Sequence, residues 1–389
     1  MTVSDLRRAN AEAPALGPIH TTATARCLPA LPRRLETASV RRAVFHRVRR
    51  GGSKDATPRL RPHPVSASSS EGSGDMGGAL KRRGVSKDDL VAILEMSKLC
   101  QTLYLHLTGL GSEDDAGIVA VLEDVYECVA RVDPGMEVVP LLERCGWDTA
   151  TAMTLEDSLG EEDHLITLDL RSNEDVEIEE GADPGADGGG DASSPIDKTS
   201  VGGTFDRMHA GHRLLLATAS AVTQTRTGTD SSPILYIGVT GDVLLTNKRH
   251  RDLIEPYDTR ANAAKLFVEK TRPRSSPVEV RCGPLDDGPP LAATVEDMKA
   301  LVVSAETLGG GETLQAMRKE RGFEPLKLVS VGLVKGRVGK GRGDDGKVSS
   351  TSLRADDADE RDERTERRDG EEAMGVSRLS SRLSWRPRE

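Results

Sequence analysis

His209 and His212 flank Ala210 and Gly211 where the glycine-rich stretch "VGGTFD" gives way to the apolar repeat "GHRLLLATASAVT". Imidazoles in such a place can ligate a metal, pack in a core or handle a phosphate. Zinc needs three or four ligands in a fixed shell, and only Asp206 stands nearby as a third. Core packing suits one histidine better than two at a polar, glycine-rich turn. Phosphate chemistry suits both. A helix starting near Gly211 has first-turn N–H groups with no partner inside the helix, and they favour an anion. His212 falls in that turn and His209 three residues before it, so both can face one site. Electrostatic or acid–base work on a phosphoryl group is therefore the expectation, with no metal held by protein ligands.

Such a site needs a strand to deliver the loop and a sheet to hold the strand. Residues 199–354 supply the pattern. Short apolar runs, "TSVGG", "PILYIGVT", "VEVRCG", "KALVVS" and "LKLVSVGLV", alternate with helical segments around "GHRLLLATASAVT", "PYDTRANAAKLFVEKT" and "GGETLQAMRKERG". Strand–helix alternation predicts an α/β domain, a parallel sheet covered by helices on both faces. Ligands then bind at the carboxyl ends of the strands, where "VGGTFD" leaves the first one.

The flanks differ. Residues 1–84 are rich in Arg, Pro, Ser and Gly, with ten Arg or Lys against three acids in the first 50. They read as a disordered extension, or as a transit peptide to mitochondrion or plastid. Residues 85–170 form a small α/β or α+β domain of unassigned role. In it "SKDDLVAILEMSKLC" is a helix capped by Ser86 with Asp89 three residues on, "QTLYLHL" and "HLITLDL" are strands, and "DDAGIVAVLEDVYECVARV" is a helix. Residues 171–198 carry nine acids against Arg171 and Lys198, the composition of a solvated linker. Residues 355–389 are a mixed-charge tail, disordered or a solvated helix.

Composition closes off several classes. A net charge of −10 with no basic domain speaks against a general nucleic-acid binder. No apolar run approaches the roughly 20 residues of a membrane span. Five scattered cysteines without a CxxC pair suggest neither a disulfide framework nor zinc, and fit a reducing, cytoplasmic compartment. "GRGDDGKV" nearly matches a P-loop but has Val348 where a hydroxyl should meet Mg²⁺, so a flexible insert is the better reading.

"GGTFDRMHAGH" resembles the HxGH signature of the nucleotidyltransferase superfamily, and "VSSTSLR" resembles its second signature, ISSTxxR. Between them "IGVTGDVLLTNK", "LIEPYDTR", "LVVSAETLGGG" and "RGFEPLKLV" follow in order. The whole is similar to phosphopantetheine adenylyltransferases of the eukaryotic type, the adenylyltransferase domain of coenzyme A synthase. The resemblance implies a Rossmann-like domain that moves the adenylyl group of ATP to 4′-phosphopantetheine, with Mg²⁺, giving dephospho-coenzyme A and pyrophosphate. With no true P-loop for the kinase step, only this adenylyl step is expected. A sister enzyme acting on nicotinamide mononucleotide or an alcohol phosphate would share both signatures, and a catalytically weak nucleotide-binding scaffold is the non-enzyme alternative.

The resemblance also implies roles. Thr204 would orient the attacking phosphate, and the Thr204–Phe205 backbone would lie near the ATP phosphates. His212 would stabilise the transition state, and His209 would contact the ATP phosphates. Gly211 would let the nucleotide approach the helix end. Lys248 would hold the phosphopantetheine phosphate. Ser349, Ser350, Thr351 and Arg354 would clamp the β,γ-phosphates. Asp242, Arg260, Ser304, Glu306, Thr307, Gly310 and Gly311 lie in matched segments with capping or packing as alternatives. Three departures stand out: "DDGPPLAAT" where the family reads DPxGPA, Gln315 and Ala316 where an Asn-Arg pair is usual, and a helix after Arg354 with almost no apolar residue to dock it.

Overall fold

Two sheets carry the fold. In the computed structural model the described residues are 43–46, 78–171, 195–225, 232–336 and 346–359, with 361, 364 and 365. Nearly all of the arginine-rich start, the acidic linker, the "GRGDD" part of the near-P-loop and the end of the tail lie outside them.

The first sheet holds β1 (Ala43–His46), β2 (Thr102–Thr108), β3 (Glu137–Leu142) and β4 (Asp163–Asp169) in the order β1-β4-β2-β3. β2 is parallel to both β3 and β4, and β1 is antiparallel to β4. With it go α1 (Ala79–Arg82), α2 (Lys87–Met96), α3 (Asp115–Val132) and α4 (Thr149–Glu156). Ser86 caps α2 as the sequence predicts, accepting from the Asp89 N–H, and Asp114 caps α3 by accepting from Gly117 N–H. Two pieces of the stretch expected to be disordered are ordered. β1 covers the edge of β4, and α1 docks on α3 through buried Leu80, whose N–H donates to Asp124 Oδ2 at 2.9 Å. The sequence reading assigns no element to "EVVPLL", which forms β3 with Pro140 inside it. β3 is an edge strand, where the missing N–H of a proline is tolerated.

The second sheet is all parallel, in the order β7-β6-β5-β8-β9. Its elements are β5 (Lys198–Gly203), α5 (Ala210–Val222), β6 (Ile234–Thr240), α6 (Tyr257–Lys270), β7 (Glu279–Leu285), α7 (Leu291–Thr294), β8 (Ala300–Ser304), α8 (Leu308–Glu320), β9 (Lys327–Val331) and a helix α9 over 350–359. Successive side chains of a strand point to opposite faces. Leu235, Ile237 and Val239 of β6 join one apolar cluster with α5 and α6, while Tyr236 joins a second with Leu301, Val303 and Leu326. Both faces are covered, the α/β Rossmann-like arrangement expected, and the strand order reverses between β5 and β8.

α5 explains how the two sheets meet. Every residue from Arg213 to Val222 is buried. A helix apolar all round must be covered all round. One side lies on β5 and β8; the other packs against α3 and β3. One apolar cluster runs through α5 from sheet to sheet. Polar contacts edge this seam: the Trp147 indole donates to Thr271 O at 2.9 Å, and Lys270 pairs with Glu137 at 2.9 Å. Among the described residues no helix is long and apolar enough to cross a membrane.

Candidate functional site

A cavity of about 1000 Å³ opens at the carboxyl ends of β5 and β8, where the strand order reverses. The loop after β5 enters it under strain. Phe205 and Arg207 both take left-handed backbone, φ 50° and 46°, which is uncommon for such side chains. What holds that loop is a set of buried ionic and backbone contacts. Arg260, fully buried, donates to Glu255 O at 2.8 Å, Thr204 O at 2.8 Å and Thr240 O at 2.9 Å, tying the ends of β5 and β6 to the start of α6. Arg207 N–H donates to Glu255 Oε2 at 2.7 Å.

His209 caps α5. Its Nδ1 accepts from Gly211 N–H at 3.1 Å, which leaves the proton of the neutral ring on Nε2. Nε2 lies 3.5 Å from Ser350 Oγ, whose own proton goes to Asp206 O at 2.9 Å. A Cβ on Gly211 would sit 3.1 Å from His209 Cε1, so the glycine there also spares the capping imidazole. His212 stacks on His209 with ring centroids 4.0 Å apart and meets Phe205 at 5.3 Å. Burial and the nearby Arg213 guanidinium push His209 down to about 3. Burial, then His209 and Arg213, hold His212 well below the usual range. Both rings are therefore neutral at pH 7 and can each donate one N–H. The His212 Nδ1 is buried and has no hydrogen-bond partner among the described residues.

The second signature reaches the same cavity from the far end of the chain. Ser349, Ser350 and Thr351 line it at the start of α9. Arg354, one turn on, is only 1% exposed. Its guanidinium pairs with the fully buried Asp206 carboxylate and donates to Arg249 O at 3.2 Å and Thr351 Oγ1 at 3.1 Å. Asp206 also accepts from Glu255 N–H at 2.9 Å. Arg207 Nε reaches Asp357 on α9 at 2.6 Å. Ion pairs and the buried Val348 thus dock the helix whose sequence lacks an apolar face. Asp206 enters the sequence reading only as a candidate metal ligand; its partner lies 148 residues away, and nothing local signals the pairing.

Thr204, Lys248, Ser304, Glu306, Thr307, Gly310 and Gly311 also line the cavity. Lys248 is exposed and has no ion-pair partner among the described residues. Glu306 pairs with Lys347, and Ser304 and Thr307 form a capping box before α8. Phe205, Asp242 and Arg260 do not line it: Phe205 and Arg260 are buried behind it, and Asp242 is exposed at the start of a 3-10 turn. The departures from the family pattern have structural work. Gln315 brackets Leu326, donating to its O at 2.6 Å and accepting from its N–H at 2.9 Å. "DDGPPLAAT" forms the wall from Asp286 to Ala292 and enters α7. Arg318, fully buried, secures that wall by donating to the carbonyls of Ala292, Val295, Glu296, Met298 and Glu324. Sequence reasoning missed it, since a helical arginine ordinarily reads as a solvated charge.

No group of three or more His, Cys, Asp or Glu able to hold a metal ion occurs among the described residues. A magnesium ion here would have to be held chiefly by substrate phosphates, which is its usual habit.

No family model matches the chain. It is 38% identical over 160 residues to a phosphopantetheine adenylyltransferase of Saccharomyces cerevisiae, covering 40% of this chain and 47% of that one. The chain thus spans about half the length of the yeast relative. It is 35% identical over 164 residues to the phosphopantetheine adenylyltransferase of Thermococcus gammatolerans, covering 41% and 89%, and 33% identical to that of Thermococcus kodakarensis, covering 41% and 84%. A solved Archaeoglobus fulgidus protein of unknown function is 27% identical over 35% of this chain and 98% of its own, with a TM-score of 0.27. With two neighbouring signatures on one cavity and archaeal relatives matched over most of their length, the chain belongs to the phosphopantetheine adenylyltransferase family.

Proposed function

We propose that the chain transfers the adenylyl group of ATP to the phosphate of 4′-phosphopantetheine, releasing pyrophosphate and forming dephospho-coenzyme A. A phosphate oxygen of phosphopantetheine attacks the α-phosphorus of ATP. The bond from that phosphorus to the bridging oxygen breaks, and the electron pair leaves with pyrophosphate. No covalent enzyme intermediate is needed, so catalysis rests on alignment and charge stabilisation. Thr204 orients the nucleophile, and Lys248 holds its phosphate as a point charge. The neutral His212 donates an N–H to the oxygens that gain charge in the transition state. Ser349, Ser350 and Thr351 offer hydroxyl and N–H donors to the β,γ-phosphates from the start of α9. Arg354, which lines the same cavity, fixes this clamp to the loop of His209 and His212 through Asp206. Magnesium on the nucleotide phosphates supplies charge neutralisation.

The observation that carries the reading is the convergence of two segments some 140 residues apart on one cavity, with Ser350 in contact with His209 and Asp206. The test supplies ATP with 4′-phosphopantetheine or with nicotinamide mononucleotide and identifies the adenylylated product. Adenylylation of phosphopantetheine supports the reading; product only from nicotinamide mononucleotide replaces it with the sister activity.

A further inference from the structure

The contacts of α3 with the far edge of the second sheet have no part in the chemistry above. α3 belongs to the N-terminal unit, the first sheet with its helices α1–α4, yet it runs beside β9 and contacts both ends of that strand. Asp115 pairs with Lys327, the first residue of β9, at 2.8 Å. Glu123 Oε1 accepts the Gly332 N–H just past the last residue of β9. Eight residues of helix rise about 12 Å and five of strand about 16 Å, a difference of a few ångströms that the long Lys327 and Glu123 side chains can take up.

Gly332 is in a sensitive place. Val331, Gly332, Leu333 and Val334 all line the cavity. Val334 O then accepts from Val348 N–H at 3.1 Å, and Gly336 N–H donates to Gly346 O at 2.9 Å. That pairing delivers the chain to Ser349 and the phosphate clamp. At the histidine signature, Pro134 O of the same N-terminal unit accepts from Ala210 N–H at 2.8 Å, in the first turn of α5. The N-terminal unit therefore touches the first turn of α5 through a backbone carbonyl and the 331–334 wall of the cavity through a carboxylate.

We infer that the N-terminal unit braces the nucleotide pocket and that Glu123 is its positioning residue: by holding the Gly332 N–H it fixes the 331–334 wall and, through Val334, the clamp at Ser349–Thr351. This rests on the reading of that clamp as an ATP phosphate site. Glu123 is half-buried at the seam and does not line the cavity, so it acts on ATP only through Gly332.

The test uses the full chain with Glu123→Ala and Glu123→Gln, which keeps the accepting oxygen without the charge. Equilibrium binding of a non-hydrolysable ATP analogue is measured beside KM for each substrate, kcat and the thermal midpoint. Glu123→Ala should weaken analogue binding and raise KM for ATP about tenfold, the size of one charge-assisted hydrogen bond. KM for phosphopantetheine and kcat should stay within about twofold, and Glu123→Gln should restore most of the loss. Glu123→Asp, which withdraws the carboxylate by one methylene, replaces the alanine variant if that one fails to fold. Parent-like ATP binding in a folded Ala or Asp variant would overturn the brace, as would an equal loss in every constant that tracks a lowered thermal midpoint. The binding readout decides the brace even if the parent makes no dephospho-coenzyme A, an outcome that would overturn only the proposed function.

Discussion

The Arg354 guanidinium and the Asp206 carboxylate form an ion pair across 148 residues of sequence, with the arginine 1% exposed and the aspartate fully buried. The pair joins the loop of His209 and His212 to the helix that presents Ser349–Thr351. Removing either partner leaves a buried charge less well compensated, Asp206 keeping only the Arg207 guanidinium at 3.3 Å, and costs up to about 3–5 kcal/mol. Arg354→Met and Asp206→Asn should each lower unfolding free energy by about that amount in urea titrations. The double variant should lose less than the sum. Additive losses would show that the two residues are not coupled.

His212→Ala should separate catalysis from folding. Its neutral ring is placed to donate to charge that appears only in the transition state. Loss of one such donor lowers kcat by about 10²–10³-fold. The fall in thermal midpoint should be modest beside that loss, since alanine keeps α5 helical. A parent-like kcat would remove His212 from the mechanism.

The same histidines set a pH dependence of stability. Burial lowers His209 to about 3 and His212 well below its ordinary value. The unfolded chain thus binds protons below about pH 6.5 that the folded chain refuses. The stability these groups contribute is fully present above that pH and is lost as pH falls toward their folded values. The slope is about 1.4 kcal/mol per pH unit for each proton. Urea unfolding at pH 7.5, 6 and 5 should show the decline, and His209→Asn should make it shallower. An unchanged slope in that variant would contradict the assignment.

Truncation before residue 195 should disable the protein. The outer side of α5 packs on α3 and β3, and nothing in residues 195–389 replaces that cover among the described residues. The fragment should aggregate on a sizing column and melt without a cooperative transition. A monomeric fragment with the parent's melting profile would show that the second sheet stands alone.

Much of this could be read in the sequence because it is local. Period-2 and period-3.6 patterns marked the strands from β5 to β9 and helices α2, α3, α5, α6 and α8, and Ser86 marked the start of α2. The two signatures marked the walls of the cavity. What stayed hidden depends on distant partners. Asp206 and Arg354 lie far apart in the chain, and α9 looked undockable because its docking is ionic. The apolar repeat of α5 could be read, but not its complete burial or the second sheet that covers it. Arg260 could be read only as a residue of a matched segment, open to capping or packing, and Arg318 not at all; each is buried among backbone carbonyls that only the folded chain assembles.

The central claim is that the two signatures form one adenylyl-transfer site. Full-length protein is given ATP, Mg²⁺ and 4′-phosphopantetheine, and the products are resolved by mass. The account predicts dephospho-coenzyme A and pyrophosphate in equal amounts, with formation reduced about 10²-fold or more in His212→Ala. ATP binding without product, or an adenylylated product only from nicotinamide mononucleotide, would contradict it.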